Sequence, residues 1–409
     1  MKRMLCILSA AVVLFGLGGT GEAKTLEEIL REKGVITEED YQEAVKDSDL
    51  AYYSPGKGMA IQSRDGKFLA HVGGRTQILY RFTDADDGDN TSTFDIRRFK
   101  IWMRGHVFDE NLFYRLQLNL GSSTSLEDAY IGYTFADPFE LTIGQMKPPQ
   151  ARQELTSFAN QLFPERSLAN DTFNVGRDIG IMASGSFADH LVEYMIGGFN
   201  GNGPNEDNVG DDHMFAARID INPFGAVSMN EVSFGDEELL LNIGGSFITS
   251  NFVEEAVPDD IDDDNEIWDA NLGEPDNAAF IAAFGDELEY ELYTVNLHAR
   301  WQGATFGAEY YFLDASPDEG GDFDADGYYV QAGYMIVPDT WELAVRYTAI
   351  ESDDDEAPVP FDEQQYQFGV NYYFVEHYAK IQADFTHVKD DENDDEDDNI
   401  LRVQAQLYF

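Results

Sequence analysis

The sequence is short of cysteine, of basic residues and of long apolar runs. Its one cysteine among 409 residues is Cys6, which lies in an apolar stretch that we predict is removed during export. The exported chain would then have no cysteine. That excludes disulfides, thiolate metal sites and cysteine nucleophiles.

The apolar stretch at the start is too short to cross a membrane. Lys2 and Arg3 precede an apolar run over 4–17, and the small residues around Ala23 resemble a cleavage site, so residues 1–23 are predicted to be a secretory signal. A run of about 14 apolar residues does not span a bilayer. Because no later run approaches the length of a transmembrane helix, helical membrane proteins are excluded.

Basic residues are scarce: 26 Lys and Arg stand against 78 Asp and Glu, giving a formal net charge of −52. Such a chain would repel the phosphates of nucleic acid, so a nucleic-acid partner is not expected. The seven histidines show no nucleophile–base spacing. An outer-membrane lipase or protease is therefore not favoured, and we predict that the protein is not an enzyme.

Aromatic residues and alternating polarity are abundant, with 29 Phe and 21 Tyr. The final segment shows the pattern most clearly: apolar side chains alternate with polar ones from Leu401 to Phe409, behind an acidic run over 390–398. A strand with one apolar and one polar face, next to a charged loop, is the repeating unit of an outer-membrane barrel. The aromatic Phe409 fits, because such barrels commonly end on an aromatic residue.

The same unit recurs along the chain and predicts an all-β fold, a 16-stranded antiparallel transmembrane β-barrel over 67–409. Tight turns alternate with long, mostly acidic loops, and a barrel of this size encloses a water-filled lumen. Before the barrel, residues 24–46 are predicted to form a short helical periplasmic segment, and 47–66 a linker. The predicted strands are 67–82, 93–108, 111–120, 127–136, 139–147, 176–187, 190–199, 212–222, 237–249, 289–302, 303–314, 327–336, 340–350, 364–375, 377–388 and 399–409.

Alternation places a group of basic residues on the inner face of the first three barrel strands. These are Arg75, Arg98, Lys100, Arg104 and Arg115. On the lipid face near the midplane an Arg or Lys costs about 2–4 kcal/mol, which forces such residues inward or to the rims. They form a basic wall that interacts with solutes, or each pairs with a lumen carboxylate. The candidate carboxylates are Asp95, Glu127, Glu193 and Glu309.

One long connection, 148–175, differs from the acidic loops. It is nearly charge-balanced, carries Arg152 and Arg166, and contains Leu, Phe and Pro residues that an exposed loop does not favour. We predict that it folds into the lumen and narrows it. The alternative is a packed surface loop at a contact between subunits.

Several short motifs stand out over 94–187. They are Arg97-Arg98-Phe99-Lys100, Gly144-Gln145-Met146-Lys147-Pro148-Pro149, Leu155-Thr156-Ser157, Pro164-Glu165-Arg166-Ser167 and Gly176-Arg177-Asp178-Ile179-Gly180. Together they resemble the phosphate-selective porin O and P family. The resemblance implies a trimeric, sixteen-stranded bacterial outer-membrane porin with its third loop, 148–175, inside the channel. It also implies a constriction lined by Lys147, Arg152, Arg166 and Arg177. Lys147 is the one lysine near the start of that loop, where phosphate-selective members carry a ring.

Within the acidic loops one segment matches the first half of a calcium loop. Asp322, Asp324 and Asp326 precede Gly327, but the twelfth position is Gly333 and not the bidentate Glu of such loops. A weak Ca²⁺ site is the resulting hypothesis. No other cofactor is expected.

The sequence therefore predicts an outer-membrane porin for passive diffusion of small hydrophilic solutes or ions, embedded in lipid as a homotrimer. Inner-face Arg and Lys favour anions. The alternatives are a cation-preferring pore governed by the acidic external loops, and a surface scaffold or adhesion barrel.

Overall fold

A computed structural model of the chain describes residues 30–31, 33–35, 37, 51–63, 65–85, 90–121, 124–208, 212–235, 237–253, 287–317, 321–352, 363–390 and 397–409. The predicted signal 1–23, most of the predicted helical segment 24–46 and much of the acidic loops lie outside these ranges. In the helical segment, Leu30 and Arg31 are helical, and Gly34, with φ of 66°, ends that turn. Its N–H donates to the Arg31 carbonyl at 2.9 Å. No described helix is long and apolar enough to cross a membrane.

Sixteen long strands, β3 to β18, form a closed antiparallel barrel, which confirms the predicted architecture. Each strand pairs with the next along the chain, and β18 closes the ring on β3, where Tyr408 lies opposite Arg75. The strands are β3 Phe68–Asp84, β4 Thr91–Val107, β5 Leu112–Leu120, β6 Thr124–Ala136, β7 Phe139–Met146, β8 Asp178–Phe187, β9 Val192–Phe199, β10 Met214–Ile221, β11 Leu240–Val253, β12 Glu287–Trp301, β13 Ala304–Pro317, β14 Phe323–Val337, β15 Trp341–Ser352, β16 Glu363–Val375, β17 Ala379–Asp390 and β18 Asp397–Tyr408.

The outer face of the barrel is apolar, and the inner face carries the polar residues together with a buried apolar cluster that includes Leu292. On β3, Gln77 is fully buried while the next residue, Ile78, is 47% exposed. Val345 is likewise exposed on β15, beside the buried Arg346. An extended band of exposed Ile, Val and Phe suits the hydrocarbon of a bilayer, where apolar surface needs no covering.

A short hairpin precedes the barrel, within the segment 47–66 that was predicted as a linker. Strands β1 Ala51–Ser54 and β2 Gly58–Gln62 pair with each other, and β2 pairs with the start of β3, Met59 opposite Val72. Gly56 and Gly58 have positive φ in the turn, which is the reason the turn needs glycine. The hairpin pairs with the first residues of β3, up to Val72, whereas β18 pairs with the same edge from Arg75 onward.

Two β-bulges interrupt the alternation of inner and outer residues. In the β3–β4 ladder Gln77 pairs with Arg98 and Leu79 pairs with Asp95. Two steps along β3 thus match three along β4, so β4 contains one extra residue. As a result the consecutive Arg97 and Arg98 are both buried, at 7% and 1% exposure.

A second bulge on β6 has the same effect on two acidic residues. The ladder with β5 passes from Asp128 to Leu126 against Gln117 and Leu118, and Glu127 is the extra residue. Glu127 and Asp128 are consequently both buried inside the barrel. Two bulges thus turn two pairs of neighbouring charged residues to the interior.

The third loop, 148–175, lies inside the barrel, as its bonds to inner-face side chains of distant strands show. It contains helix α1 Arg152–Leu155, a 3₁₀ turn Phe158–Asn160 and helix α2 Leu168–Phe173. Phe163 is fully buried and Phe173 stacks on Tyr311 with ring centroids 5.8 Å apart. Its carbonyls accept hydrogen bonds from Gln406 to Ala159 at 3.2 Å, from Lys380 to Gln161 at 3.1 Å and from Asn371 to Leu162 at 2.8 Å.

Candidate functional site

A cavity of about 300 Å³ lies between the third loop and the inner wall of β3 to β9. Six of the nine predicted site residues line it: three come from strands β3 to β5, one from the third loop and two from positions on either side of that loop. Lining carboxylates are fewer, with Asp128 and Glu140 among them. The six cationic residues are Arg75, Lys100, Arg115, Lys147, Arg166 and Arg177.

Each of three buried carboxylates around the cavity is shared between two cations. Glu127 pairs with Lys100 at 2.5 Å and with Arg177 at 3.6 Å. Asp128 pairs with Arg115 at 2.7 Å and again with Arg177 at 2.8 Å. The β6 bulge makes this possible, because without it only one of the two acidic residues would face inward.

The third shared carboxylate belongs to the third loop. Glu154 pairs with Lys147 at 2.5 Å and with Arg166. It is 2% exposed. The pairing fastens the start of the loop to its later part, and it leaves the shared carboxylate between two positive charges.

Two inner-face arginines have neutral or basic neighbours. Arg75 is 4% exposed and donates from Nη1 to the Ser157 hydroxyl at 2.8 Å and to the Tyr408 hydroxyl at 3.5 Å. Arg104 lies directly opposite Arg115 in the β4–β5 ladder, and it makes no ion pair with any residue that the structure describes. Like charges directly opposite each other are destabilising. Anions in the lumen water would offset this.

Arg98 lies outside the cavity lining, where it holds the third loop to the wall. Arg97 Nε and Arg98 Nη2 donate to the Glu165 carboxylate at 2.7 and 2.8 Å. The Phe158 ring lies between two guanidinium groups, 3.3 Å from Arg98 and 3.7 Å from Arg166. Burial raises the pKa of Glu165, but the charges of Arg98 and Arg97 outweigh burial and hold it well below its usual value.

Arg152 also lies outside the cavity, at the far side of the third loop. Its Nη2 donates to the Ser228 carbonyl at 2.7 Å. Burial, with the nearby charge of Arg218, lowers its pKa to about 10. The structure therefore groups six of the predicted residues at one cavity, places Arg104 beside them, and gives Arg98 and Arg152 anchoring contacts.

The connection between β10 and β11, residues 222–239, meets the third loop inside the barrel. Its Glu231 accepts a hydrogen bond from the Leu162 N–H at 2.8 Å and one from the Gln153 side chain at 3.1 Å. The backbone N–H of Glu231 donates to the Asn160 carbonyl at 3.0 Å. The third loop also contacts β16 and β17 through Asn371 and Lys380, whereas the cavity lies along β3 to β9.

Comparison with known proteins agrees with the barrel fold. Residues 71–409 match the family described as phosphate-selective porin O and P. The chain belongs to the phosphate-selective porin O and P family. This porin lies in the bacterial outer membrane and is a channel.

A protein of Aquifex aeolicus (strain VF5), described as uncharacterized, is 23% identical over 453 residues and covers 100% of both chains. Among solved structures, the anion-selective porin from Comamonas acidovorans aligns with a TM-score of 0.56 at 12% identity, over 83% of this chain and 99% of that one. The outer membrane channel DcaP of Acinetobacter baumannii aligns with a TM-score of 0.52 at 13% identity, over 85% and 99%. At such identities the structures show a shared fold.

Three residues of the site were not identified from the sequence: Glu154 and Glu165 on the third loop, and Arg97 on β4. Arg97 escaped because strict alternation places it outside, next to Arg98. Glu154 and Glu165 lie on a loop, where no periodicity predicts direction. The two consecutive charged pairs, Arg97-Arg98 and Glu127-Asp128, were the available signal, since two adjacent charged residues on a lipid-spanning strand require a bulge.

The Ca²⁺ site at Asp322, Asp324 and Asp326 stays a prediction, and the local strand geometry does not favour it. Asp324 and Asp326 lie on the extended strand β14, paired with β13, whereas a calcium loop must curl around its ion. Within the described residues of the porin, no group of three or more His, Cys, Asp or Glu side chains has a metal-binding arrangement.

Proposed function

We propose that this porin conducts small hydrophilic solutes by passive diffusion and prefers anions. The observation that carries the proposal is the charge of the cavity: Glu127, Asp128 and Glu154 are each shared by two cations. Arg75 adds a further positive charge whose hydrogen bonds go to hydroxyl groups. Six cations thus stand against Glu140 and these three carboxylates, so the cavity carries excess positive charge.

The acidic loops act over a longer distance than the cavity. Ionic screening has a length of about 10 Å at 0.1 M salt and about 3 Å at 1 M. Raising the salt therefore weakens the influence of distant loop carboxylates more than that of cavity residues in contact with the permeating ion. The proposal predicts anion preference that persists at high salt.

We also propose that the porin assembles as a homotrimer in outer-membrane lipid. The outer membrane protein OmpT of Vibrio cholerae, a structural neighbour with a TM-score of 0.52, is described in a trimer form. The exposed apolar band of the barrel offers surface for lipid and for neighbouring subunits. Cross-linking of the refolded protein tests this, and a band no larger than the monomer would contradict it.

Reversal potential in a KCl gradient across a planar bilayer tests the anion preference. We expect chloride to permeate better than potassium in the wild type, and Arg75→Gln to reduce that preference because it removes a cavity charge. Lys67→Gln removes the same charge from an exposed position outside the barrel strands and should leave the potential unchanged. Potassium preference in the wild type, or equal effects of the two variants, would overturn the proposal.

A further inference from the structure

Three methionines face the lumen on adjacent strands of the cavity wall. Met146, Met182 and Met195 lie on β7, β8 and β9 and line the cavity. Elsewhere the inner face carries polar residues such as Gln77 and Asn296, together with apolar residues such as Phe199 and Leu292 that are buried in a cluster with the third loop. Met146 belongs to that buried cluster and Met182 packs against it. The apolar surface of the barrel interior therefore reaches the cavity at this wall.

Aromatic residues connect the methionine wall with the basic residues of the cavity. Phe113 and Tyr130 line the cavity and contact each other edge to face, with ring centroids 6.5 Å apart. Tyr130 lies directly opposite Arg115 in the β5–β6 ladder. Across the cavity, the Phe158 ring is 3.7 Å from the Arg166 guanidinium. The apolar surface and the positive charges are thus parts of one lining.

The register confirms that the methionine side chains share the inner face. Met182 lies opposite Thr142 on β7, and Met195 lies opposite Arg218 on β10. The neighbours of these methionines along the strands, Ile181 and Ile196, are exposed outside at 45% and 42%. Strand alternation therefore leaves the methionine side chains directed into the barrel.

We propose that the cavity binds organic anions that carry an apolar group, such as alkyl or aryl carboxylates, more tightly than inorganic anions of the same charge. The anionic group meets Arg75 and Arg115, and the apolar group contacts Met182 and Met195. Methionine suits this role because its unbranched, polarizable side chain adapts to tails of different shape. This proposal rests on the proposed anion-preferring channel and names the solute class of the same cavity.

The test uses a series of carboxylates of increasing length. Acetate, butyrate and hexanoate are added in turn to the purified porin in a planar bilayer, and the dissociation constant of each is taken from its block of the chloride current. A fully buried CH₂ group strengthens binding by about fourfold. In this open cavity we expect the constant to fall by at least about twofold per CH₂ group.

Two variants separate the apolar wall from general effects of tail length. Met182→Gln and Met195→Gln should each flatten the dependence of the dissociation constant on chain length. Ser186→Gln places the same amide on β8 outside the cavity lining and should keep the full dependence. Hexylammonium, which has the same type of tail with the opposite charge, should not block.

The outcomes distinguish this proposal from the one on which it rests. Equal block by acetate and hexanoate, with chloride preferred over potassium, overturns the apolar wall and leaves the anion channel standing. A length dependence that survives in both methionine variants also overturns it, since the tails then bind elsewhere. Preference for potassium overturns the anion channel itself.

Discussion

Replacing Glu165 with Gln should loosen the third loop from the barrel wall. Glu165 is buried and accepts hydrogen bonds from Arg97 and Arg98 at 2.7 and 2.8 Å. The substitution keeps the shape and one acceptor but removes the charge that balances two guanidinium groups. Breaking a buried ion pair by removing one partner costs about 3–5 kcal/mol. Because Gln keeps an acceptor, we expect Glu165→Gln to lower the free energy of unfolding by about 3 kcal/mol.

The pH dependence supplies a second signature of this contact. In the unfolded chain Glu165 titrates near 4.5, and in the folded porin its pKa is lowered. A lowered pKa gives a stabilisation that is complete above the unfolded value and is lost as pH falls through the folded one. The difference in free energy of unfolding between wild type and Glu165→Gln should therefore be constant near neutral pH and shrink below about pH 4.5.

Urea unfolding of the porin refolded into lipid vesicles, followed by tryptophan fluorescence, measures both effects. Glu110→Gln is the matched control, because Glu110 is exposed in the tight turn after β4. A double-mutant cycle with Arg97→Gln isolates the coupling between the two side chains. Surface substitutions usually change the free energy of unfolding by less than about 0.5 kcal/mol. If the effects of Glu165→Gln and Glu110→Gln on that free energy differ by no more than this, the contact of Glu165 with Arg97 and Arg98 does not hold the third loop.

Three further substitutions test other parts of the channel. Glu231→Ala removes the acceptor of a buried third-loop N–H, so single-channel conductance should rise as the loop is released. Unchanged conductance would contradict the idea that Glu231 holds the third loop in place. Burial raises the pKa of Asp171 to about 7, so anion preference should fall as pH rises from 6 to 8, and Asp171→Asn should abolish that change in reversal potential. A Cβ at Gly74 would lie 2.4 Å from the Phe409 ring, so Gly74→Val should lower the yield of refolded barrel on a gel; Gly198→Ala, with open space at that position, should refold normally.

The barrel was predictable because its signal is repeated sixteen times. Each strand alternates between lipid and lumen, and a period of two survives errors of a few residues at either end. The hairpin β1–β2 was missed for a local reason. Pro55 and Gly56 in so short a segment predict a turn but give no sign of strands on either side, and β2 is held mainly by its pairing with β3.

The site was predictable only in part, since alternation tells which face a residue is on and not what it contacts. It placed Arg75, Lys100 and Arg115 correctly on the inner face. It did not predict that Glu127 and Asp128 share that face, because one extra residue in a strand leaves the local composition unchanged. Nor could it pair Arg97 with Glu165, which lies 68 positions away on an irregular loop.

The contacts of the third loop have a consequence for how the porin is assembled. Ala159, Gln161 and Leu162 are held by side chains of β16, β17 and β18, more than 200 positions later in the chain. Those partners arrive last, and β18 must then close on β3. The channel interior therefore takes its final shape as the seam closes. An intermediate that still lacks its final strands would be an open sheet whose third loop has not yet docked. A defect in the C-terminal strand would therefore disturb the position of the third loop as well as the barrel wall.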